Sequence, residues 1–394
     1  MRFSVSSISI ACVVLTGNVS AAPLAKPVEV DLKIVEYYTE RGFEFGYLEL
    51  DEVGRPIRSW ELLPAPVPNS IPTFKFAEKA VEKAEYPDVG APFALQIRNR
   101  KFAEGASAML GNLKSLQLLE LASSEFKDVD LKHCLKLEKL THLDLSYTSH
   151  ADPAVKICRS IPGLTSLVLC KIEITDACFE ELARYPSLIS LDCSSCSKLT
   201  SKVFGSLPKF KHLTRMDVSG LQVSLADCKI LANLPLRDLH LRNSGVDGDG
   251  LAEIAKISTL THLDIAQSTA DEAAIEALTK LKSLQHLGLN NTNCTDNTIE
   301  RLLRLKNLSR LELRDTFISD KSAAHFAKMP GLEYLYLDST SSTDDGVKHL
   351  TALAELRALY LAGTPVTWRS AALFGQRNRS GSWICRRICL RKTP

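Results

Sequence analysis

Apolar positions along this chain recur in the order Leu-x-x-Leu-x-Leu, at steps of about 24 residues through two thirds of its length. The sharpest copies are Leu140/Leu143/Leu145, Leu164/Leu167/Leu169, Leu284/Leu287/Leu289, Leu308/Leu311/Leu313, Leu332/Leu335/Leu337 and Leu356/Leu359/Leu361. Weaker copies begin at Leu116, Leu188, Leu213, Leu236 and Leu260, and a degenerate one at Pro92 carries Leu95 and Ile97 in the apolar slots. Each copy has two periods. In its first half, alternation buries the second and third leucines and turns the residues beside them outward, as a short strand requires. In its second half apolar residues return every third place, as at Ile299, Leu302 and Leu305, which is one face of a helix. Thr-Asp or Ser-Asp at 175, 295, 319 and 343 supplies oxygens for the unpaired N–H groups of the first helical turn. No copy buries its leucines alone, so copies must stack. The expected fold is an α/β solenoid with a concave parallel sheet, a convex wall of helices and about 12 repeats over residues 92–366.

Residues 22–91 lack the repeat. Phe43, Phe45 and Tyr47 alternate with Glu44 and Gly46, and a turn at Asp51–Pro56 precedes Ile57–Leu63, which predicts a β-hairpin. Pro64, Pro66, Pro68 and Pro72 break the pattern, and Ala/Glu/Lys-rich composition predicts a short helix over Ala77–Tyr86. This segment is expected to be a small N-terminal capping module over the exposed core and edge of the first repeat. Before it, Arg2, an apolar run from Ile8 to Leu15 and the small residues Val19 and Ala21 form a secretory leader pattern over 1–21, cut after Ala21. The expected location is therefore outside the cytoplasm, secreted, periplasmic or at the cell surface. Residues 367–394 make a tail that is basic and, from Trp368, free of acids; either it meets an anionic surface, or it is an unstructured end or the product of an altered reading frame.

The segment Leu308-x-x-Leu311-x-Leu313-x-x-Thr316-x-Ile318-Ser319-Asp320, with its sisters at 284 and 332, resembles the leucine-rich-repeat family. The variant it resembles is the Thr-x-Ile-Thr-Asp-x-Gly-Leu type of exported bacterial proteins, notably of planctomycetes. The resemblance implies a right-handed leucine-rich-repeat horseshoe that binds a partner along its concave sheet. It leaves the partner open, because receptors, adhesins, inhibitors and ligase adaptors share the scaffold. The chain departs from the pattern at Val223–Ala226, which replaces the Thr-Asp cap, and in one repeat of 25 and one of 23 residues.

With 394 residues, 45% hydrophobic and 24% charged, the chain has ample material for a continuous core. A formal net charge of +2 gives no global attraction for nucleic acid. Most of the 11 cysteines fall in core slots: Cys134 and Cys158 share the nineteenth place of adjacent repeats, and Cys193 fills a third-leucine place. They are expected to be reduced and buried, with Cys134 and Cys158 the pair to watch for a disulfide. Cys193-x-x-Cys196 has zinc spacing but no second pair at a fitting distance.

The outward positions form three rows across the repeats, neighbours in a row lying about 4.8 Å apart. They hold eight acids, four arginines and four histidines, a mildly acidic face. His240, His262, Asp264 and His286 could converge on a divalent metal, or simply satisfy one another as a polar face. A Ser219, His240, Asp264 triad lacks an oxyanion hole on regular strands, and the sequence holds no P-loop, dinucleotide or His-Glu-x-x-His motif. No catalytic residue, metal or cofactor is expected. The expected role is a non-enzymatic scaffold for a protein or peptide, with no nucleic acid and no transmembrane segment. Its candidate contacts are Arg215, Asp217, Asp238, His240, Arg242, His262, Asp264 and His286, together with Arg310, Glu312, Arg314, Tyr334, Tyr336 and Tyr360. The last six carry most weight, since Tyr and Arg dominate binding hot spots. The alternatives are a ubiquitin-ligase substrate adaptor and a structural envelope component.

Overall fold

The computed structural model describes residue 28 and residues 30–370, apart from 52–54, 58–61, 79, 150–151, 186 and 368. The expected leader over 1–21 and most of the expected tail over 367–394 lie outside the described residues.

The leucine alternation produces one sheet, with 14 strands among the described residues, laid side by side in chain order. Phe43–Glu49 and Ser70–Phe76 pair antiparallel at one end. From Ser70–Phe76 onward each strand runs parallel to the next, through Phe93–Gln96 and Leu116–Glu120 to the three-residue strands His142–Asp144 up to Ala358–Tyr360. The second leucine of each repeat sits opposite its equivalent in the next: Leu143, Leu167, Leu191, Met216, Leu239 and so on to Leu359. All of them are buried. The 25- and 23-residue repeats do not shift this register. Their extra residue falls between Cys196 and Thr200 and their missing one between Leu234 and Leu236, both outside the strands.

Seven-residue α-helices such as Asp176–Leu182, Gly248–Ile254, Glu272–Leu278 and Asp296–Leu302 follow the strands and bury their three-residue-spaced apolar faces. Ala106–Asn112, Asp128–Lys136 and Ser201–Lys209 wind as 3-10 helices instead. In the last of these Pro208 has no N–H for an α-helical bond. Parallel strands joined by helical crossovers on one side give the right-handed leucine-rich-repeat horseshoe, with a concave parallel sheet and a convex helical wall.

The N-terminal module covers the first repeat by continuing its sheet, as Thr73 and Phe74 pair with Ala94 and Leu95. Its core is aromatic: Tyr38, Phe43, Phe74 and Phe93 are buried together, with Tyr38 stacked on Phe74 at 4.3 Å between ring centroids. Three details differ from expectation. The strand paired along the whole of Phe43–Glu49 is Ser70–Phe76, which includes Pro72; the expected arm meets the first one, among its described residues, through the bridges Leu50↔Pro56 and Tyr47↔Leu63 and the Ile57 N–H to Glu49 O bond. An α-helix at Leu32–Thr39, capped by the Asp31 side chain, precedes the hairpin. Among the described residues of Ala77–Tyr86 no helix forms; Ala80–Val81 pairs parallel with Lys101–Phe102. Val81 and Tyr86 are both buried; a five-residue spacing puts two side chains about 140° apart on a straight helix and on opposite faces of a straight strand, and a bend at Lys83 lies between them. Among the described residues no helix is long and apolar enough to cross a membrane.

Candidate concave binding face

The register assembles the rows that the alternation predicts. His262, His286, Arg310 and Tyr334 stand side by side in one, and His240, Asp264, Gly288, Glu312, Tyr336 and Tyr360 in the next. The face is not equally open along its length. At the N-terminal end the chain covers itself: Leu118, nominally outward, is 1% exposed beneath Leu48, Ile71 and Leu50 of the segment that precedes the repeats. His142, Ser166 and Ser190 of the same row are buried as well. Burial holds the His142 imidazole down at about 4, and its Nδ1 lies 2.9 Å from Ser166 Oγ. Beside it Glu120 takes Gln96 Nε2 and Arg98 Nε at 2.8 Å each, yet burial pushes its carboxyl up to about 7.

Midway, Arg215, Asp217, Asp238 and His240 form a charge cluster. Arg215 donates to Asp238 Oδ2, and His240 Nε2 lies 2.8 Å from Asp238 Oδ1. Burial opposes charge on both partners, but their mutual bond outweighs it, holding Asp238 below the carboxylate range and raising His240. Asp217 turns back to accept Ser219 N at 2.9 Å, and Arg242 reaches Gln267 Oε1 at 3.4 Å. A residue outside the expected set joins this cluster. Arg55, from the connection between the first two strands, lies 3.6 Å from Asp238 Oδ2 and 3.4 Å from Ser190 Oγ. Nothing periodic marks a contact between residues so far apart in sequence.

The histidines do not converge. Both nitrogens of His240 face carboxylates, with Asp264 Oδ2 3.9 Å from Nδ1. His262 Nδ1 meets Thr261 Oγ1 at 2.9 Å, and His286 Nε2 meets Glu312 Oε1 at 3.2 Å. His262 and His286 pack edge to face, and burial lowers the His262 pKa. Asp264 spends Oδ1 on Ala266 N at 2.9 Å. Among the described residues no group of three or more His, Cys, Asp or Glu is arranged to hold a metal. The eight described cysteines are free thiols, Cys134 and Cys158 included. Burial pushes the thiols up, Cys134 and Cys196 to about 12; such groups are inert rather than nucleophilic.

At the C-terminal end, Arg310, Glu312, Arg314, Tyr334, Tyr336 and Tyr360 come together as one layered patch. The Tyr336 and Tyr360 rings stack at 4.2 Å and 5°. The Arg310 and Arg314 guanidiniums stand 4.7 and 4.5 Å from the Tyr336 ring centre. Each guanidinium is fixed by a carboxylate: Arg310 Nη2 to Glu312 at 2.7 Å, and Arg314 Nε to Asp338 at 2.7 Å. Asn290 ties the two together, donating to Glu312 at 2.8 Å and accepting Arg314 N at 2.9 Å. Tyr336 is itself only 5% exposed, so it is the platform, and Tyr334, Tyr360 and the arginines present the accessible surface. Row membership reveals which face a side chain is on; it does not reveal that neighbours will cover it.

No family model and no curated protein matches the chain. Among solved structures it is similar to an internalin (inlF) from Listeria monocytogenes, 17% identical over 76% of this chain and 83% of that one, with a TM-score of 0.46. It is also similar to internalin C2 from Listeria monocytogenes, 21% identical over 49% and 76%, TM-score 0.35. The mouse RP105/MD-1 complex matches at 17% identity over 72% of this chain and 52% of that one, TM-score 0.41.

Proposed function

We propose that the protein is a non-enzymatic, exported scaffold that binds a protein or peptide on the concave sheet of its C-terminal repeats. The observation that carries this reading is the Arg310–Tyr336–Arg314–Tyr360 stack. Aromatic surface held rigid by stacking buries area at little entropic cost, and a guanidinium fixed by a carboxylate offers its remaining donors in a set direction. The mildly acidic concave rows repel a phosphate backbone. The leader pattern supports export, which places the partner outside the cytoplasm and disfavours a ligase adaptor.

The test is affinity capture from the native envelope or medium, followed by binding of the captured ligand to variants. Arg314→Ala and Tyr360→Ala should each cost about 2 kcal/mol, a roughly thirtyfold loss, whereas Lys348→Ala on the helical wall should bind as the parent does. Normal binding by folded Arg314→Ala and Tyr360→Ala together would place the site elsewhere.

A further inference from the structure

Arg55 belongs to the capping module, yet its side chain is 13% exposed because it lies on the concave sheet against Asp238 and Ser190. The position is electrostatically crowded. Asp238 also takes Arg215 and His240, so three basic side chains share one carboxylate. Burial and the Arg215 charge both lower the pKa of Arg55, and its Nε, shut away from water, has no acceptor among the described residues. The built-in occupant therefore fits imperfectly. It is also self-sufficient: Asp51, four residues before it, pairs with its Nη2 at 2.5 Å, accepts its backbone N–H at 3.0 Å and donates its own N–H to Arg55 O at 2.8 Å. Withdrawn from the sheet, Arg55 would take its counter-ion with it and vacate a guanidinium place beside Ser190 Oγ and Asp238, whose carboxylate would keep Arg215 and His240 and share a second guanidinium as it does now.

We propose that Asp238 and Ser190 form an arginine-accepting subsite of the concave face, that Arg55 is its resting occupant, and that a protein ligand binds by inserting an arginine side chain in its place. The proposal rests on the reading of the concave sheet as a binding face and specifies one side chain of the partner. An intramolecular occupant lowers the apparent affinity of a competitor by the fraction of time the site is free. Removing Arg55 therefore unmasks the site.

The probe is Nα-acetyl-arginine amide, titrated into the full chain and followed by NMR shifts of the His240 ring. Arg55→Ala should bind it about tenfold or more tighter than the parent. Adding Asp238→Asn to Arg55→Ala should abolish binding, and the uncharged citrulline analogue should not bind. Equal affinity for the parent and Arg55→Ala, binding that survives Asp238→Asn, or no binding to folded Arg55→Ala would overturn the proposal. Arg55→Gln, which keeps the aliphatic stem, gives the same readings if Arg55→Ala does not fold. Tyr360→Ala should leave probe binding unchanged, so failure of the subsite and failure of the aromatic patch are separate results.

Discussion

Asp320, in the first turn of one repeat's helical segment, accepts both the backbone N–H and the hydroxyl of Thr343 in the next repeat, at 2.7 and 2.6 Å. Thr343 in turn caps its own helix by accepting Asp345 N. The same link joins Asp152 to Thr175, Asp176 to Thr200, Asp296 to Ser319 and Asp344 to Thr367. The Thr-Asp pair thus does two jobs: its hydroxyl starts one helix, and its carboxylate locks the start of the following one. In a solenoid stability is the sum of such nearest-neighbour terms.

Asp320→Ala should therefore cost about 1–3 kcal/mol, since it leaves two donors of Thr343 without their ionised acceptor. Asp320→Asn, which keeps one acceptor oxygen, should cost less. Urea unfolding measures both; a loss no larger than that of the exposed Lys280→Ala would show that the link is geometric rather than energetic.

Gly288 stands in the second concave row where its neighbours carry side chains, and a Cβ there would lie 2.6 Å from Asp264 Oδ1. That oxygen is the acceptor for Ala266 N. Gly288→Ala should expel the carboxylate and destabilise the fold by about 1–3 kcal/mol. In an Asp264→Ala background the same substitution should cost markedly less, a coupling of about 0.5 kcal/mol or more in a double-mutant cycle. Additive effects would count against the contact.

These two contacts mark the boundary of what the sequence conveys. Leucine spacing specifies the strands, their register and the face of each side chain, because every repeat solves the same packing problem. The Thr-Asp pairs were legible as caps, but their second bond crosses to the next repeat and needs the stacking distance. The segment before the repeats was read poorly for a different reason. It has no repeat to average over, so composition alone favoured a helix at Ala77–Tyr86, where Ala80–Val81 instead pairs with Lys101–Phe102, a partner that composition does not reveal. The Arg55–Asp238 contact has no local signature at all.

From Asn99 to Gly363, one residue per repeat, just after the third row, has φ between 52° and 78°. Most are Asn, Ser, Gln, Asp or Gly, but Tyr147 adopts φ 60° and is 54% exposed with Lys171 Nζ 5.0 Å from its ring centre. Left-handed backbone costs a bulky residue about 1 kcal/mol that glycine is spared. Tyr147→Gly is expected to leave the fold as stable as the parent or more so, by up to about 1 kcal/mol, despite deleting an aromatic contact. Thermal unfolding decides; a clear loss would mean that the Tyr147–Lys171 contact outweighs the strain.

The pH dependence follows from two acids on the covered part of the concave face. Burial pushes Glu120 up to about 7, and burial with the neighbouring Asp217 charge pushes Asp192 up to about 6. Each folded-state value exceeds the unfolded one, so the folded state holds these protons over a range where the unfolded chain has released them. Their contribution to stability is complete below about pH 4 and is lost as pH rises through 6 and 7. Asp296 acts in the opposite sense. Burial opposes its charge, but hydrogen bonds from Ser319 and Ser322 prevail and hold it below the usual range, so its contribution is present near neutrality and lost in acid. Glu120→Gln keeps an acceptor oxygen for Arg98 or Gln96 while removing the titration. Compared with the parent, it should be little changed near pH 4.5 and more stable near pH 8, by on the order of 1–3 kcal/mol. Urea unfolding of the parent, Glu120→Gln and Asp192→Asn at pH values from about 4.5 to 8 measures the difference. Parallel stability curves for the parent and Glu120→Gln would show that Glu120 is ionised throughout, held by Arg98 against the cost of burial.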